Sequence, residues 1–128
     1  MGKVLVVINE QHSLMPDQER ILSERFGSFD FMKVPSAGWT LAEQVDIAGG
    51  FEGSEVDHVV FASPVPVLLA KCAAFSAHAS LADAANTGRV IEYPAVWVLH
   101  NDHRDKKELP NGKVISVVAQ EGWELVRV

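Results

Sequence analysis

The chain has 128 residues, of which 48% are hydrophobic and 22% charged, a composition ordinary for a globular protein. This length predicts one domain over residues 1–128 with a real core, and it excludes two. The net charge of −6 argues against general nucleic-acid binding, which needs a broad basic face. There is no membrane-length apolar run and no signal-peptide pattern, and the single cysteine, Cys72, suits a reducing compartment. We therefore expect a cytoplasmic protein with no membrane partner.

The first half of the chain alternates between strand and helix patterns. Pro16 suits the first turn of a helix, and Gly27 closes it. Thr40 and Glu43 have capping-box spacing, which starts a second helix. The predicted elements are strand 3–8, helix 16–26, strand 29–34 and a helix from 40 to about 48.

The second half opens with a short apolar run, Val59 to Ala62, which predicts a buried strand. Ser63 has the chemistry of an N-cap, and Pro64 then falls at the first position of a long helix. Asn86-Thr87-Gly88 is expected to end that helix. The remaining predicted elements are strand 95–99, a polar run at 100–107, a turn at 110–112, and strands 113–118 and 123–128.

This order of elements predicts an α/β fold, with a mostly parallel sheet flanked by helices and an antiparallel hairpin at the C-terminus. Ligands of such sheets bind beyond the carboxyl ends of the strands. Three polar segments follow predicted strands: Asn9 to Ser13, Ser63 to Pro66, and His100 to Lys107. We expect all three to open on one edge of the sheet and to form a crevice there.

The first of these segments carries residues that could contact a base or ribose. Asn9 and His12 have two interpretations of nearly equal weight, ligand binding or a polar loop that satisfies its own backbone, and their position at a strand end favours ligand binding. Ser13 belongs to the same loop. Gln18, on the first turn of the next helix, could reach the crevice, although a solvated helix residue is the favoured interpretation.

At the second segment, the Ser63 hydroxyl is interpreted as a helix cap and not as a nucleophile, because there is no G-x-S-x-G pattern. The helix start around Ser63, Pro64 and Val65 would present free amides and the positive end of the helix dipole. These features predict an anion site.

The third segment contains His100, Asn101 and a group of cations. It is either a solvated loop, the favoured interpretation, or a phosphate clamp made by Arg104, Lys106 and Lys107. Its histidines match no zinc spacing, so no metal is expected. There is no G-x-G-x-x-G and no Walker A motif, so no cofactor is expected and a nucleotide would have to be held differently.

Three tryptophans complete the set of candidates. Trp39 could stack on a base, but a place at the edge of the core is the favoured interpretation. Trp97 and Trp123 are predicted to be core residues.

The segment Asn9-Glu10-Gln11-His12-Ser13-Leu14-Met15-Pro16-Asp17-Gln18 resembles the opening of small CRISPR-associated proteins with a Rossmann-like, CARF-type fold. The turn from Val34-Pro35 to Gly38 and the later strand before a helix are also similar. These proteins lie near the ring nucleases of type III CRISPR systems, which act in antiviral defence. Met15 departs from the pattern, since threonine or serine often stands there.

The resemblance implies a Rossmann-like homodimer that binds and cleaves a cyclic oligoadenylate such as cyclic tetra-adenylate. It implies a metal-independent reaction in which a ribose 2′-hydroxyl attacks its own phosphate. His12 or His100 would act as general base or acid, while amides after Ser63 and the cation Arg104, Lys106 or Lys107 would stabilise charge. The alternative is a cyclic-nucleotide sensor without catalysis, or a module that binds a protein. Enzymatic activity is the favoured of the two.

Overall fold

The computed structural model describes residues 2–84 and 92–128 and has an α/β fold, as the sequence predicted. The predicted helix end at Asn86-Thr87-Gly88 lies outside the described residues. No helix in the described ranges is both long and apolar enough to cross a membrane. The elements are β1 (Lys3–Asn9), α1 (Pro16–Phe26), β2 (Asp30–Val34), α2 (Leu41–Gly50), β3 (Val56–Phe61), α3 (Pro66–Ala84), β4 (Ala95–His100), β5 (Arg104–Glu108), β6 (Val114–Val118) and β7 (Glu124–Arg127).

The main sheet has five strands in the order β2-β1-β3-β4-β7. Strands β2, β1, β3 and β4 are parallel to one another, and β7 pairs antiparallel with β4. Strands β5 and β6 form a separate antiparallel two-stranded sheet. The predicted mostly parallel sheet and antiparallel hairpin are therefore both present, and the last strand returns to the main sheet.

The core lies on both faces of the main sheet. On one face, Val7 and Val59 pack with Leu68 of α3, and on the other, Val60 packs with Leu22 of α1. All five side chains are fully buried. Burial on both faces explains why the central strands are continuous apolar runs. Cys72 is also fully buried and fills the core as a small apolar residue.

The ends of the first two helices follow local chemistry. Helix α1 has the predicted bounds, and the amide of Gly27 donates to the Ser23 carbonyl. At α2, the Thr40 hydroxyl accepts from the Glu43 amide at 3.1 Å, and the Glu43 carboxylate accepts from the Thr40 amide at 3.1 Å. The predicted capping box is therefore confirmed, although α2 runs on to Gly50.

The predicted start of α3 is wrong by two residues, because α3 begins at Pro66 and not at Pro64. The Ser63 hydroxyl does not cap α3; it accepts a hydrogen bond from the Asn9 amide at 2.9 Å. The carboxamide oxygen of Gln44, on α2, instead accepts from the Leu68 amide at 3.0 Å. A contact from a distant helix thus replaces the local cap that the sequence suggested.

The polar run at 100–107 is not a loop throughout, since β5 begins at Arg104. The Leu109 amide donates to the Lys113 carbonyl at 2.7 Å and closes the turn that leads to β6. Gly112 takes the left-handed conformation in this turn, with φ of 83°. All five residues of β5 are exposed, so the strand left no burial pattern in the sequence.

Candidate functional site

A cleft of about 840 Å³ opens at the carboxyl ends of β1, β3 and β4. All three polar segments contribute to its wall, so the predicted convergence of the strand ends is confirmed. The predicted site residues that line the cleft are His12, Ser13, Gln18, Ser63, Pro64, His100, Asn101 and Arg104. Those that do not line it are Asn9, Val65, Lys106 and Lys107.

The first wall of the cleft is the loop after β1. Asn9 does not line the cleft, but its hydrogen bonds fix the conformation of this loop. The Asn9 carboxamide oxygen accepts from the Gln11 amide at 2.9 Å, and the Asn9 carbonyl accepts from the His12 amide at 2.9 Å. With its own amide bound to Ser63, Asn9 ties this loop to the end of β3. Asn9 thus follows its structural interpretation, and it positions His12, whose exposed side chain lines the cleft.

Gln18 lies at the back of this wall, and its interpretation as a solvated helix residue is wrong. Only 6% of Gln18 is exposed. Its carboxamide oxygen accepts from the Met15 amide at 2.9 Å, which is the half of a capping box that the third helical residue contributes, while Met15 makes no side-chain cap. The sequence missed this placement because a polar residue on a first helical turn gives no sign of a tertiary neighbour.

The segment between β3 and α3 has fewer free amides than the predicted cradle, because two of its amides bond within the protein. The Ser63 amide donates to the Val7 carbonyl at 3.1 Å, and the Leu68 amide donates to Gln44. Pro64 and Pro66 have no N–H group. Val65 is 7% exposed and belongs to the core. What this segment contributes to the cleft is the buried Ser63 and the ring of Pro64.

The opposite wall begins at the end of β4 with a histidine–carboxylate pair. The Nε2 atom of His100 lies 2.7 Å from the Oδ1 atom of Asp102. Both side chains are exposed and both line the cleft. The carboxylate can orient the imidazole ring.

Arg104, the first residue of β5, presents the positive charge of this wall. Its Nη1 atom donates to the Asn101 carbonyl at 3.0 Å and to the His103 carbonyl at 2.9 Å. A guanidinium has five N–H donors, so the donors on Nη2 and Nε remain for a ligand. Two backbone carbonyls therefore hold the guanidinium group of Arg104 in place, and its remaining N–H donors are available at the cleft.

Asn101 anchors the hairpin to the main sheet. Its carboxamide nitrogen donates to the Ala119 carbonyl at 3.3 Å and to the Glu121 carbonyl at 2.9 Å, and its oxygen accepts from the His103 amide at 2.9 Å. The side chain is buried, with 8% exposed. Its polar atoms are thus engaged by the protein, and the residue supports the cleft wall.

The two lysines of the predicted clamp separate onto opposite faces of the hairpin. Side chains alternate along a strand, so Lys106 shares the face of Arg104 while Lys107 points the other way. The structure therefore brings Arg104 to the cleft without the other two cations.

Trp123 and Met15 add an apolar surface that the sequence did not assign to the site. The Trp123 indole donates to the Ala119 carbonyl at 3.1 Å, and its backbone amide donates to the Asp17 carboxylate at 3.3 Å. The hydrogen bond from Arg20 lowers the pKa of Asp17 and keeps that acceptor charged. Trp123 packs against the core as predicted, but it also lines the cleft. The position of Trp123 depends on the pairing of β7 with β4, which no local sequence pattern predicts.

Trp39 and Trp97 lie where the sequence predicted. Trp39 packs against the core cluster that includes Val7, and Trp97 packs against the cluster that includes Val60. Neither residue lines the cleft.

In the described ranges, no group of three or more histidine, cysteine or acidic side chains is placed to hold a metal ion. Comparisons with protein-family models, with curated proteins and with solved structures found no match. The chemistry of the cleft therefore has to be argued from its own side chains. These are two histidines, one oriented arginine, one exposed carboxylate and an apolar wall.

Proposed function

We propose that the protein is a CARF-type, Rossmann-like ring nuclease that binds a cyclic oligoadenylate, such as cyclic tetra-adenylate, and cleaves it without a metal. The observation that carries this proposal is the cleft itself, where three strand ends bring His12, His100 and Arg104 to one surface. The resemblance of the Asn9–Gln18 segment to CRISPR-associated ring nucleases supports the choice of ligand.

The lining of the cleft suits a nucleotide. Its volume of about 840 Å³ lies within the range of ~300–1,000 Å³ common for small-molecule sites. Trp123 and Met15 offer apolar surface to an adenine base. The remaining donors of Arg104 suit a phosphate, which planar guanidinium groups bind with two parallel hydrogen bonds.

The reaction needs orientation, two proton transfers and charge stabilisation. The 2′-oxygen of one ribose attacks the adjacent phosphorus while the bond from phosphorus to the 5′-oxygen of the next nucleotide breaks. One of the two histidines removes the proton of the 2′-hydroxyl, and the other protonates the leaving 5′-oxygen. Arg104 neutralises the charge that develops on the non-bridging oxygens. The products are a 2′,3′-cyclic phosphate and a 5′-hydroxyl.

The same proposal includes the cellular compartment and the oligomeric state of the protein. The protein would work in the cytoplasm in antiviral defence. A homodimer with two-fold symmetry would place two copies of the cleft around a ligand ring that is itself two-fold symmetric.

The test is incubation of the purified protein with cyclic oligoadenylates of several ring sizes in the presence of EDTA, followed by chromatography. We expect linear products that end in a 2′,3′-cyclic phosphate. A folded protein that leaves every ring size intact would contradict the proposed reaction.

A second candidate is a sensor that binds the same ligand without cutting it. The position of Lys106 and Lys107 outside the cleft favours it, because Arg104 is then the one lysine or arginine among the lining residues that the structure describes. Calorimetry that shows saturable binding, together with chromatography that shows intact ligand, would select the sensor.

A further inference from the structure

The outer edge of β6 has none of the features that usually prevent strands from pairing with another chain. Natural edge strands carry charges, prolines or bulges that block such pairing. Strand β5 fits this rule with the sequence Arg-Asp-Lys-Lys-Glu, but β6 reads Val-Ile-Ser-Val-Val. Its apolar side chains are exposed, with 59% of Val114, 39% of Ile115 and 41% of Val118 accessible.

The hydrogen bonds of the hairpin indicate which backbone groups of β6 face outward. Bonded and non-bonded pairs alternate along an antiparallel ladder. The bond between Leu109 and Lys113 makes Lys107–Ile115 and Asp105–Val117 the next bonded pairs. The amides and carbonyls of Val114, Ser116 and Val118 therefore point away from β5. No other strand of residues 2–84 and 92–128 pairs with this edge.

We propose that β6 pairs with β6 of a second copy of this chain, antiparallel and centred on Ser116. In this register Ser116 faces its own counterpart, while Val114 faces Val118 of the other copy. The outward-facing backbone groups are then the ones that bond to each other. The side-chain pairs are serine with serine, valine with valine and isoleucine with valine, so the strand is complementary to itself and buries no charge.

This pairing would place the two clefts on the same side of one four-stranded sheet. Directly opposed residues share a face of a sheet, so Val118 lies on the face of Arg104, and both residues line the cleft. The two-fold axis is perpendicular to the sheet and therefore preserves that face. With a rise of about 3.4 Å per residue, the two Val118 residues would lie on the order of 14 Å apart.

A short strand edge also sets the expected strength of the dimer. Stable interfaces bury about 1,200–2,000 Å² of surface, and one pair of five-residue strands buries less. We therefore expect a dimer that dissociates on dilution. The pairing gives the homodimer of the proposed function its interface, but it is separate from the proposed reaction, because a monomer that cleaves the ring would overturn the dimer and leave the reaction standing.

Sedimentation velocity over a range of concentrations tests the pairing. The wild-type chain should pass from monomer to dimer, and Ser116→Pro should stay monomeric, because proline removes the central outward amide. Lys106→Pro is the matched control, since Lys106 lies opposite Ser116 at a non-bonded position on the other edge; it should still dimerise. Circular dichroism would verify that both variants are folded. A wild-type chain that is monomeric throughout, or a folded Ser116→Pro variant that dimerises normally, would overturn the proposal.

Cross-linking tests the register. Ser116→Cys should form a covalent dimer on mild oxidation, because residues paired on the two-fold axis lie within disulfide distance. The native Cys72 is buried and does not compete. Lys107→Cys, on β5 at the far edge of the hairpin, should remain monomeric when both variants are compared on a non-reducing gel. Equal cross-linking of the two variants would contradict the register.

Discussion

The main sheet and the hairpin are built on different principles, and the cleft lies between them. In the main sheet, the central strands are covered on both faces, and Val59 and Val60 are fully buried. In the hairpin, every residue of β5 is exposed and β6 has one partly buried residue. Burial therefore holds the wall that carries His12 and Ser63. Hydrogen bonds, above all those of Asn101, hold the wall that carries Arg104.

The largest effect is expected from removing buried volume beneath the sheet. Leu68→Ala should lower the free energy of unfolding by about 2–5 kcal/mol, because a fully buried leucine leaves a cavity. Val114→Ala in the exposed hairpin should change it by no more than about 0.5 kcal/mol. Urea denaturation measures both. Equal losses would show that the hairpin shares the core's packing.

The next effect concerns the anchor of the hairpin. Asn101→Ala removes three hydrogen bonds of a buried side chain and should cost about 1–3 kcal/mol. Hydrogen exchange should speed up in β5 and β6 while β1 and β3 keep their protection. The control is Asn111→Ala, because Asn111 caps only the exposed Lys113 amide. Uniform loss of protection across both sheets would contradict a separate anchor.

This contrast also explains what the sequence could predict. The buried strands, the capping box at Thr40 and the helix from Pro16 to Phe26 were predictable because local chemistry and burial act together there. Strand β5 was not predictable, because an exposed charged strand has no apolar alternation and is held by its partner. The sequence correctly placed residues 100–107 at the carboxyl end of a strand of the main sheet, but it predicted a loop where β5 forms.

The same reasoning applies to individual site residues. Ser63 and Asn101 each satisfy a backbone group that is distant in sequence, 54 residues away for Ser63 and 20 for Asn101. Sequence spacing identified the right loops but not these partners. The convergence of His12, His100 and Arg104 followed from topology, whereas the inclusion of Trp123 required the return of β7 to the main sheet.

A glycine-to-alanine pair gives a smaller effect of opposite sign in the two regions. Gly112→Ala in the hairpin turn should destabilise by about 1 kcal/mol, because its φ of 83° is strained for a side chain. Gly49→Ala in α2 should stabilise by about 0.5–1 kcal/mol, because a Cβ there meets no neighbour. Thermal unfolding should show the two shifts in opposite directions. A shift of the same sign in both variants would contradict this account of the turn.

The smallest expected effect is a pH dependence of stability that originates in the main sheet, at His58. Burial lowers the pKa of His58, nearby Arg25 and Arg127 lower it further, and Asp57 opposes them. The Nδ1 atom of His58 accepts from the Trp97 indole at 3.1 Å, which requires a neutral ring. The contribution of neutral His58 to the free energy of unfolding should be complete above the unfolded-state pKa of about 6.5. It should be lost as pH falls through the lower folded-state pKa.

Melting temperatures of the wild type and of His58→Gln, compared at pH 7.5 and 5.5, measure this dependence. The wild type should lose more stability than the variant on acidification. His78→Gln, on an exposed position of α3, is the matched control and should behave as the wild type. An identical acid response in His58→Gln would exclude His58 as its source.

The most direct test of the account is the rate at which Arg104→Ala cleaves cyclic tetra-adenylate in EDTA. Losing charged hydrogen bonds to a phosphate costs about 1.5–3 kcal/mol, so kcat/KM should fall by roughly 10- to 100-fold while the melting temperature changes little. Lys71→Ala, an exposed cation of α3 that does not line the cleft, should cleave at the wild-type rate. An Arg104→Ala variant that cleaves as fast as the wild type would contradict the assignment of this cleft as the active site.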